Sequence, residues 1–429
     1  MLYLLVKALE LHGPFNVFHQ IEFRAILSVL VAFGLVMAFG EKTIRTLLKL
    51  KIGDMPEFDN AAINELMKKK ENTPTMGGVL IVAAIAATVL LLGDVSRTHG
   101  FYLWAGLVCL VAHAAIGFSD DWLKITFGRR ARASGGKATR DGLKSWEKLL
   151  FQLVLAAVLC FFVHHYGQHK YDFAGNNKDW VEQTRQMSTC INLPGLKAWV
   201  RDFPIDPVTH QKIVHFSVSP SLIVLSLGGF MALGILFIAG MSNAVNLTDG
   251  MDGLAPGIST IACLALMALA LVAGYDWNGT NWAQTLLLPH IPDSGELAIL
   301  AGAMAGACLG FLWFNCSPAR IFMGDTGSLA LGGTMGYIAV VTRQEFLLLL
   351  IGGVFILEGL SVAIQVTVFR FSKGTLGFHD VKGTRRVFLC APLHHHFHMK
   401  AWPEQRIVTR AWIITALLAA AALATLRMH

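Results

Sequence analysis

Aspartates recur in three short polar clusters of this chain, each set against apolar runs, and a fourth cluster is a run of histidines. Asp120 and Asp121 close an apolar run in Ser119-Asp120-Asp121-Trp122-Leu123-Lys124. A carboxylate at the end of a membrane helix is costly if it faces lipid, so such a pair faces water, an ion or a partner. Adjacent helical residues point about 100° apart, which gives the two acids different jobs. The plain alternative is a solvated helix end paired with Lys124. The second cluster, Asn243 to Gly253, holds Asn243, Asn246, Thr248, Asp249, Gly250 and Asp252. Asp249 and Asp252 share a face if a helix begins there, and the segment offers oxygens and amides to a nucleotide or a hard cation. A Gly-rich connector with Asx turns is the competing reading.

The third cluster, Phe322-Met323-Gly324-Asp325-Thr326-Gly327-Ser328, precedes an apolar run. Asp325 or Thr326 either caps the following helix, or the helix end aims its amides and positive dipole at an anion while Asp325 binds Mg²⁺ bridging it. The fourth is Pro392-Leu393-His394-His395-His396-Phe397. Carboxylate-rich surroundings favour Mg²⁺ over a transition metal, and consecutive side chains seldom converge on one ion. The histidines then serve as hydrogen-bond donors or proton carriers to phosphate oxygens, against a surface run without function. Lys70 leads into Thr73-Pro74-Thr75-Met76-Gly77-Gly78, and Lys137 follows Ser134-Gly135-Gly136. Each is either a headgroup and topology element or a reach towards a diphosphate. Glu358 and Gln365, seven residues apart inside an apolar block, share one helix face turned to a cavity.

The elements that must position these residues are membrane helices. Of 429 residues 54% are hydrophobic and 15% charged, against about 25% charged in a soluble domain. Apolar blocks of spanning length lie near 22–40, 77–93, 101–118, 147–166, 218–240, 256–274, 297–314, 328–342, 346–370 and 408–427. The expectation is an all-α, polytopic membrane protein of about ten transmembrane helices forming a single domain over 1–429. The connections holding the four clusters and Lys70 fall on one side and carry most of the 35 Lys and Arg. That side is expected to be cytoplasmic and both termini periplasmic. Residues 167–217 are expected to form a small periplasmic insertion without chemistry. The net charge of +7 and pI near 9.0 reflect loops rather than one basic face, so no nucleic-acid partner is expected. The first block lacks a basic leader and is expected to be a retained helix. The seven cysteines show no C-x-x-C pair and are expected to be unpaired.

Thr73 to Gly78, Asp120-Asp121-Trp122, Asn243 to Gly253, Phe322 to Ser328 and Pro392 to Phe397 together resemble the phospho-N-acetylmuramoyl-pentapeptide-transferase family, within the polyprenyl-phosphate N-acetylhexosamine-1-phosphate transferases. The resemblance covers nearly the whole chain, in order, and the histidine run is its most specific part. It implies transfer of phospho-MurNAc-pentapeptide from UDP-MurNAc-pentapeptide to undecaprenyl phosphate, with release of UMP. It implies Asp325 as the magnesium ligand, with Asp120 and Asp121 as an acidic catalytic pair and further candidate ligands of the metal. Asn246, Asp249, Gly250, Asp252 and Phe322 would line the nucleotide pocket, Phe322 stacking on uracil. Lys70, Thr75, Lys124, Lys137, Asn315, Ser328, Gln365, His394, His395 and His396 would complete the site. The resemblance further implies a homodimer in the bacterial inner membrane, among membrane lipids, with its site facing the cytoplasm. This chain departs from the family pattern in its longer insertion and in His398, where the family has Glu.

A sister enzyme using a UDP-N-acetylhexosamine donor shares the aspartates and is the nearest rival. A secondary transporter is a more distant one, because transport sites lie near the bilayer midplane whereas these acids sit at span ends.

Overall fold

The computed structural model describes residue 3 and residues 13–50, 73–96, 99–133, 142–169, 178–203, 215–277, 280–381 and 383–426. Its main helices are α1 (Ile21–Lys49), α2 (Gly78–Leu92), α3 (Phe101–Ala133), α4 (Ser145–His169), α5 (Lys178–Thr189), α6 (Leu227–Thr248), α7 (Leu254–Gly274), α8 (Leu297–Asn315), α9 (Gly324–Val341), α10 (Glu345–Ile351), α11 (Gly353–Ser372), α12 (Leu393–Met399) and α13 (Glu404–Thr425). Among the described residues eight helices, α1, α3, α4, α6, α7, α8, α11 and α13, are long and apolar enough to cross a membrane.

The two remaining expected spans are helical for different reasons. α2 has 15 residues, about 22 Å at 1.5 Å per residue, short of a hydrocarbon core of about 30 Å. α9 is Gly- and Thr-rich, and Thr326–Val341 are all buried. It is the central post, packed by α3 and α6 and also touched by α2 and α7. Three boundaries differ from expectation. α3 runs on to Ala133, so Asp120 and Asp121 lie within a helix instead of ending one. The block at 218–240 opens with Val218 and Ile223–Val224 in strands joined by a turn, and the helix there runs from Leu227 to Thr248, carrying Asn243 and Asn246. The block at 346–370 is broken at Gly352 into α10 and α11.

The described part of residues 167–217 holds a short helix and strands. α5 leads to β1 (Cys190–Ile191), which pairs with β4 (Ile223–Val224), while β2 (Trp199–Asp202) pairs antiparallel with β3 (His215–Val218). The Trp199 indole donates to the Leu288 carbonyl at 2.9 Å, and the Asn192 amide donates to Gln344 Oε1 at 3.1 Å. All seven cysteines are free, five of them buried.

Apolar burial gives no preference for one helix over another inside lipid, so contact depends on how closely backbones approach. α8 presents Gly302, Gly306 and Gly310 at spacing four to α1, where a Cβ at each would crowd the carbonyls of Ala25, Val29 and Phe33. At the end of the molecule away from the start of α9, the Arg24 guanidinium forms a buried pair with Glu296 at 2.7 Å and also donates to the Leu92 carbonyl. A leucine at position 306 is therefore expected to separate α1 from α8 and to cost about 1–3 kcal/mol. Thermal unfolding in detergent checks this; an unchanged midpoint would show that the glycine stripe carries no packing role.

Candidate active site

Asp325 owes its position to a cap supplied from another helix. Met323, at the N-terminus of α9, gives no side-chain cap, which would leave the first amides of the helix without partners. Asp121 of α3 fills the gap. Its Oδ1 accepts from the Asp325 amide at 3.2 Å, and its Oδ2 accepts from the Thr326 amide at 3.0 Å and the Thr326 hydroxyl at 2.7 Å. A negative group there also meets the positive end of the helix dipole. Gly324 has φ 73, in the left-handed region, and a Cβ on it would lie 2.9 Å from Asp121 Oδ2. On the flanks, Gly117 of α3 abuts the Asp325 carbonyl and Gly78 of α2 abuts the Gly327 amide, too closely for any side chain. The segment around Thr75 is laced to the same loop: the Phe322 amide donates to Pro74, Gly77 to Phe322 and Gly78 to Met323, each at 2.8 Å.

The Asp325 carboxylate then enters a ring of four charges. Its Oδ2 accepts from Lys148 Nζ at 2.6 Å and Lys124 Nζ at 3.2 Å. Asp120 Oδ2 meets the same ammonium groups at 2.7 Å (Lys124) and 3.4 Å (Lys148), and Asp120 Oδ1 accepts from the Leu143 amide at 2.8 Å. Burial alone would raise the Asp325 carboxyl, but a hydrogen bond with Asp120 and the two ammonium charges outweigh it and hold the group well below the usual carboxylate range. Lys148 is a site residue that sequence reasoning missed, because a lysine at the mouth of a span reads as a topology signal. The available hint was a polar pair four residues apart, since Lys148 and Gln152 share a face of α4. Gln152 is fully buried and accepts from the Asn243 amide at 2.6 Å.

Asp249, half-buried just past the end of α6, accepts a hydrogen bond from the Gly324 amide. Burial, then the charges of Asp325 and Asp121, push its carboxyl up to about 8. The neighbouring polar residues act as braces. Asp252 Oδ2 accepts from the Ala319 amide at 3.1 Å, while the Asp252 amide donates to Glu404 at 2.8 Å. Asn315 takes the Gly253 amide at 2.9 Å and gives to the Ile321 carbonyl at 2.7 Å. The Ser328 hydroxyl turns back onto the Gly324 carbonyl at 3.0 Å. Phe322 and Asn246 are half-buried beside these braces.

The three histidines diverge. Glu358 accepts from the His394 amide at 3.1 Å and pairs with its Nδ1 at 3.2 Å. The far side of the His394 ring lies against Gly250, next to Asp249, and its Nε2 is buried without a hydrogen-bond partner among the described residues. The His395 ring lies tilted beside it at 4.2 Å. His396 points elsewhere, its Nδ1 accepting from the Leu389 amide at 3.1 Å. Burial, Lys400 and His379 lower its basicity. Gln365 accepts from the Phe388 amide at 2.9 Å and so holds the same loop. Thus Asp120, Asp121, Lys124, Asp249, Gly250, Asp325 and His394 converge. Asp252, Asn315, Ser328, Gln365 and His396 support them from behind. Lys70 and Lys137 lie outside the described residues.

The sequence that builds this site is matched by known proteins. Residues 103–343 fit the family described as glycosyl transferase family 4, and residues 70–82 fit phospho-N-acetylmuramoyl-pentapeptide-transferase signature 1. A phospho-N-acetylmuramoyl-pentapeptide-transferase of Desulfosudis oleivorans is 38% identical over 432 residues, covering 100% of both chains. Those of Thermodesulfovibrio yellowstonii and Desulfotalea psychrophila are 37% and 38% identical, over 96% and 97% of this chain and 96% of their own lengths. The chain belongs to the phospho-N-acetylmuramoyl-pentapeptide-transferase family. The transferase signature ends in the Thr73–Gly78 segment and first turn of α2 that pin Phe322 and Met323, so it marks the support of Asp325.

Asp249 gives a pH signature. A carboxyl whose folded value lies above its unfolded value of about 4 makes the folded state hold the extra proton, so stability is full at low pH and falls as pH rises from about 4 towards 8. Without divalent cations, Asp249→Asn is expected to match the parent at about pH 4 and to melt higher near pH 8. Parallel melting-temperature curves would rule out the strained carboxyl.

Proposed function

We propose that this transferase moves phospho-N-acetylmuramoyl-pentapeptide from UDP-MurNAc-pentapeptide to undecaprenyl phosphate, giving undecaprenyl-diphospho-MurNAc-pentapeptide and UMP, the first membrane step of peptidoglycan synthesis. The observation that carries the reading is the ring of Asp120, Lys124, Lys148 and Asp325 at the positive end of α9. The donor is a charged, soluble nucleotide and the acceptor a phosphate on a long apolar chain. They can meet only at a membrane edge, which is where a polar pocket at the ends of apolar helices belongs. The site is read as cytoplasmic, in the bacterial inner membrane, with both termini and residues 167–217 periplasmic. The enzyme is read as a homodimer.

The donor set suits Mg²⁺. Asp325 would hold it, with Asp120 and Asp249 adding negative charge nearby. Among the described residues no three His, Cys, Asp or Glu side chains could enclose an ion alone; Mg²⁺ takes one or two carboxylates and fills its other positions with water and phosphate oxygens. When bound, it neutralises the diphosphate and the departing UMP. Asp121, with both oxygens committed to α9, positions Asp325 rather than touching substrate. Lys124 and Lys148 exchange carboxylate oxygens for phosphate oxygens as the donor settles, with Lys70, Thr75 and Lys137 at the diphosphate. Asn246, Asp249, Gly250 and Asp252 border the nucleoside, and Phe322 stacks on uracil. Glu358 holds the ring of His394 so that its Nε2 faces a phosphate oxygen of the donor, and His395 lies beside it.

An oxygen of the acceptor phosphate attacks the phosphorus bonded to the sugar. The P–O bond to UMP breaks, and UMP leaves with that electron pair. The second pKa of a phosphate monoester is about 6, so the acceptor is largely ionised at neutral pH and needs no strong base. Direct attack is therefore preferred to an aspartyl-phosphate intermediate.

Purified enzyme in detergent, with Mg²⁺ and undecaprenyl phosphate, is expected to release UMP from UDP-MurNAc-pentapeptide and not from UDP-N-acetylglucosamine. Equal release from both overturns the donor assignment. Asp325→Asn and Lys148→Gln are each expected to lower kcat by about 10²–10³; parental rates would remove these residues from the chemistry. Intact-mass analysis with donor alone is expected to find no phosphorylated enzyme, and such an adduct would replace direct attack with a covalent route.

A further inference from the structure

Phe371 and Phe378 are 87% and 88% exposed, more than any other large apolar side chain among the described residues. They sit where α11 passes into a hairpin formed by β5 (His379–Val381) and β6 (Thr384–Arg386). The inner face of α11 is already at the active site: Glu358 bonds His394 and Gln365 bonds the Phe388 amide. Its outer face carries Leu357, Leu360 and Ile364 at 52%, 50% and 44% exposure, and this stripe reaches Phe371 at helical spacing. Leu376, 64% exposed, and Phe378 extend it past the last turn. Arg370, Lys373 and Arg385 are exposed around it, and the Arg386 guanidinium lies 5.9 Å from the centre of the Phe369 ring. The only acid in the sequence from 366 to 390 is Asp380.

We propose that the end of α11 and the β5–β6 hairpin form a membrane-surface anchor, with Phe371, Leu376 and Phe378 entering the headgroup boundary and the basic residues meeting lipid phosphates. Aromatic side chains flanked by Arg and Lys have this interfacial preference, and anionic headgroups complement the local positive charge. The occupant is the bilayer itself, because the apolar stripe continues the lipid-facing side of a helix of spanning length. The anchor is wired to the chemistry. The Phe378 amide donates to the Arg386 carbonyl at 2.9 Å and the Arg385 amide to the Gly374 carbonyl at 2.8 Å, and the chain leaving β6 is held by Gln365 and His396 before it enters α12. Seating the hairpin on lipid fixes the approach to His394.

Benzoylphenylalanine at position 378, irradiated in vesicles of phosphatidylethanolamine and phosphatidylglycerol, is expected to give adducts of phospholipid mass. Adducts confined to this chain, to a second copy, or to added undecaprenyl phosphate alone would overturn the anchor, as would their absence. With Arg370, Lys373 and Arg385 all changed to Gln, the yield of phosphatidylglycerol adduct is expected to fall at least about fivefold, and an unchanged yield would overturn the charge contact. These readouts do not depend on the transfer reaction. They therefore distinguish failure of the anchor from failure of the donor assignment.

Discussion

A single carboxylate, that of Asp121, fixes the geometry on which the site depends. It belongs to α3, yet both its oxygens are spent on the first turn of α9. A helix beginning with a left-handed glycine and no cap of its own would fray at the residue that matters most. The borrowed cap converts a weak helix start into a fixed one and ties the register of two helices together. Asp325 can then stand between Lys148 and Lys124 at the positive end of α9.

The charge pattern follows from that constraint. Two ammonium groups balance Asp120 and Asp325, while Asp249 is pressed by burial and by the charges of Asp325 and Asp121. Its elevated pKa is the cost of placing a further acid beside an already filled ring. Such an arrangement is poor for stability and useful for recognising a ligand that brings positive charge. The braces formed by Asp252, Asn315, Glu404 and Trp412 hold the Asp249 loop against the resulting repulsion, with the Trp412 indole donating to the Gly253 carbonyl at 3.1 Å.

The acidic and histidine clusters were legible in the sequence because polar groups interrupting apolar blocks need a reason to be there. Which partner each group takes was legible only in part. That Asp120 and Asp121 differ follows from their offset of about 100°, and the Asp120–Lys124 pair from a spacing of four; that Lys148 joins the one and α9 takes the other as its cap depends on packing between helices. The extent of α3 was hidden because its acidic pair finds partners on other helices, which lets the helix continue where a solvated end was expected. α6 continues through Asn243 for a similar reason, since that amide bonds Gln152 and the Ala239 carbonyl. The run before Leu227 was apolar enough to pass for helix, and only pairing with β1 and β2 makes it strand. Lys148 could not be assigned because its partners are 28 and 177 residues away.

The glycines at 78, 117 and 327 have a further consequence. They touch no reacting atom, but they let three backbones meet beside Asp325 with no side chain between them. A hydrogen bond tolerates a misfit of only a few tenths of an ångström, whereas one added methyl would push neighbouring helices further apart than that. Evolution is therefore as little free at these blank positions as at the charged ones, and the accuracy of the pocket comes partly from atoms that are missing.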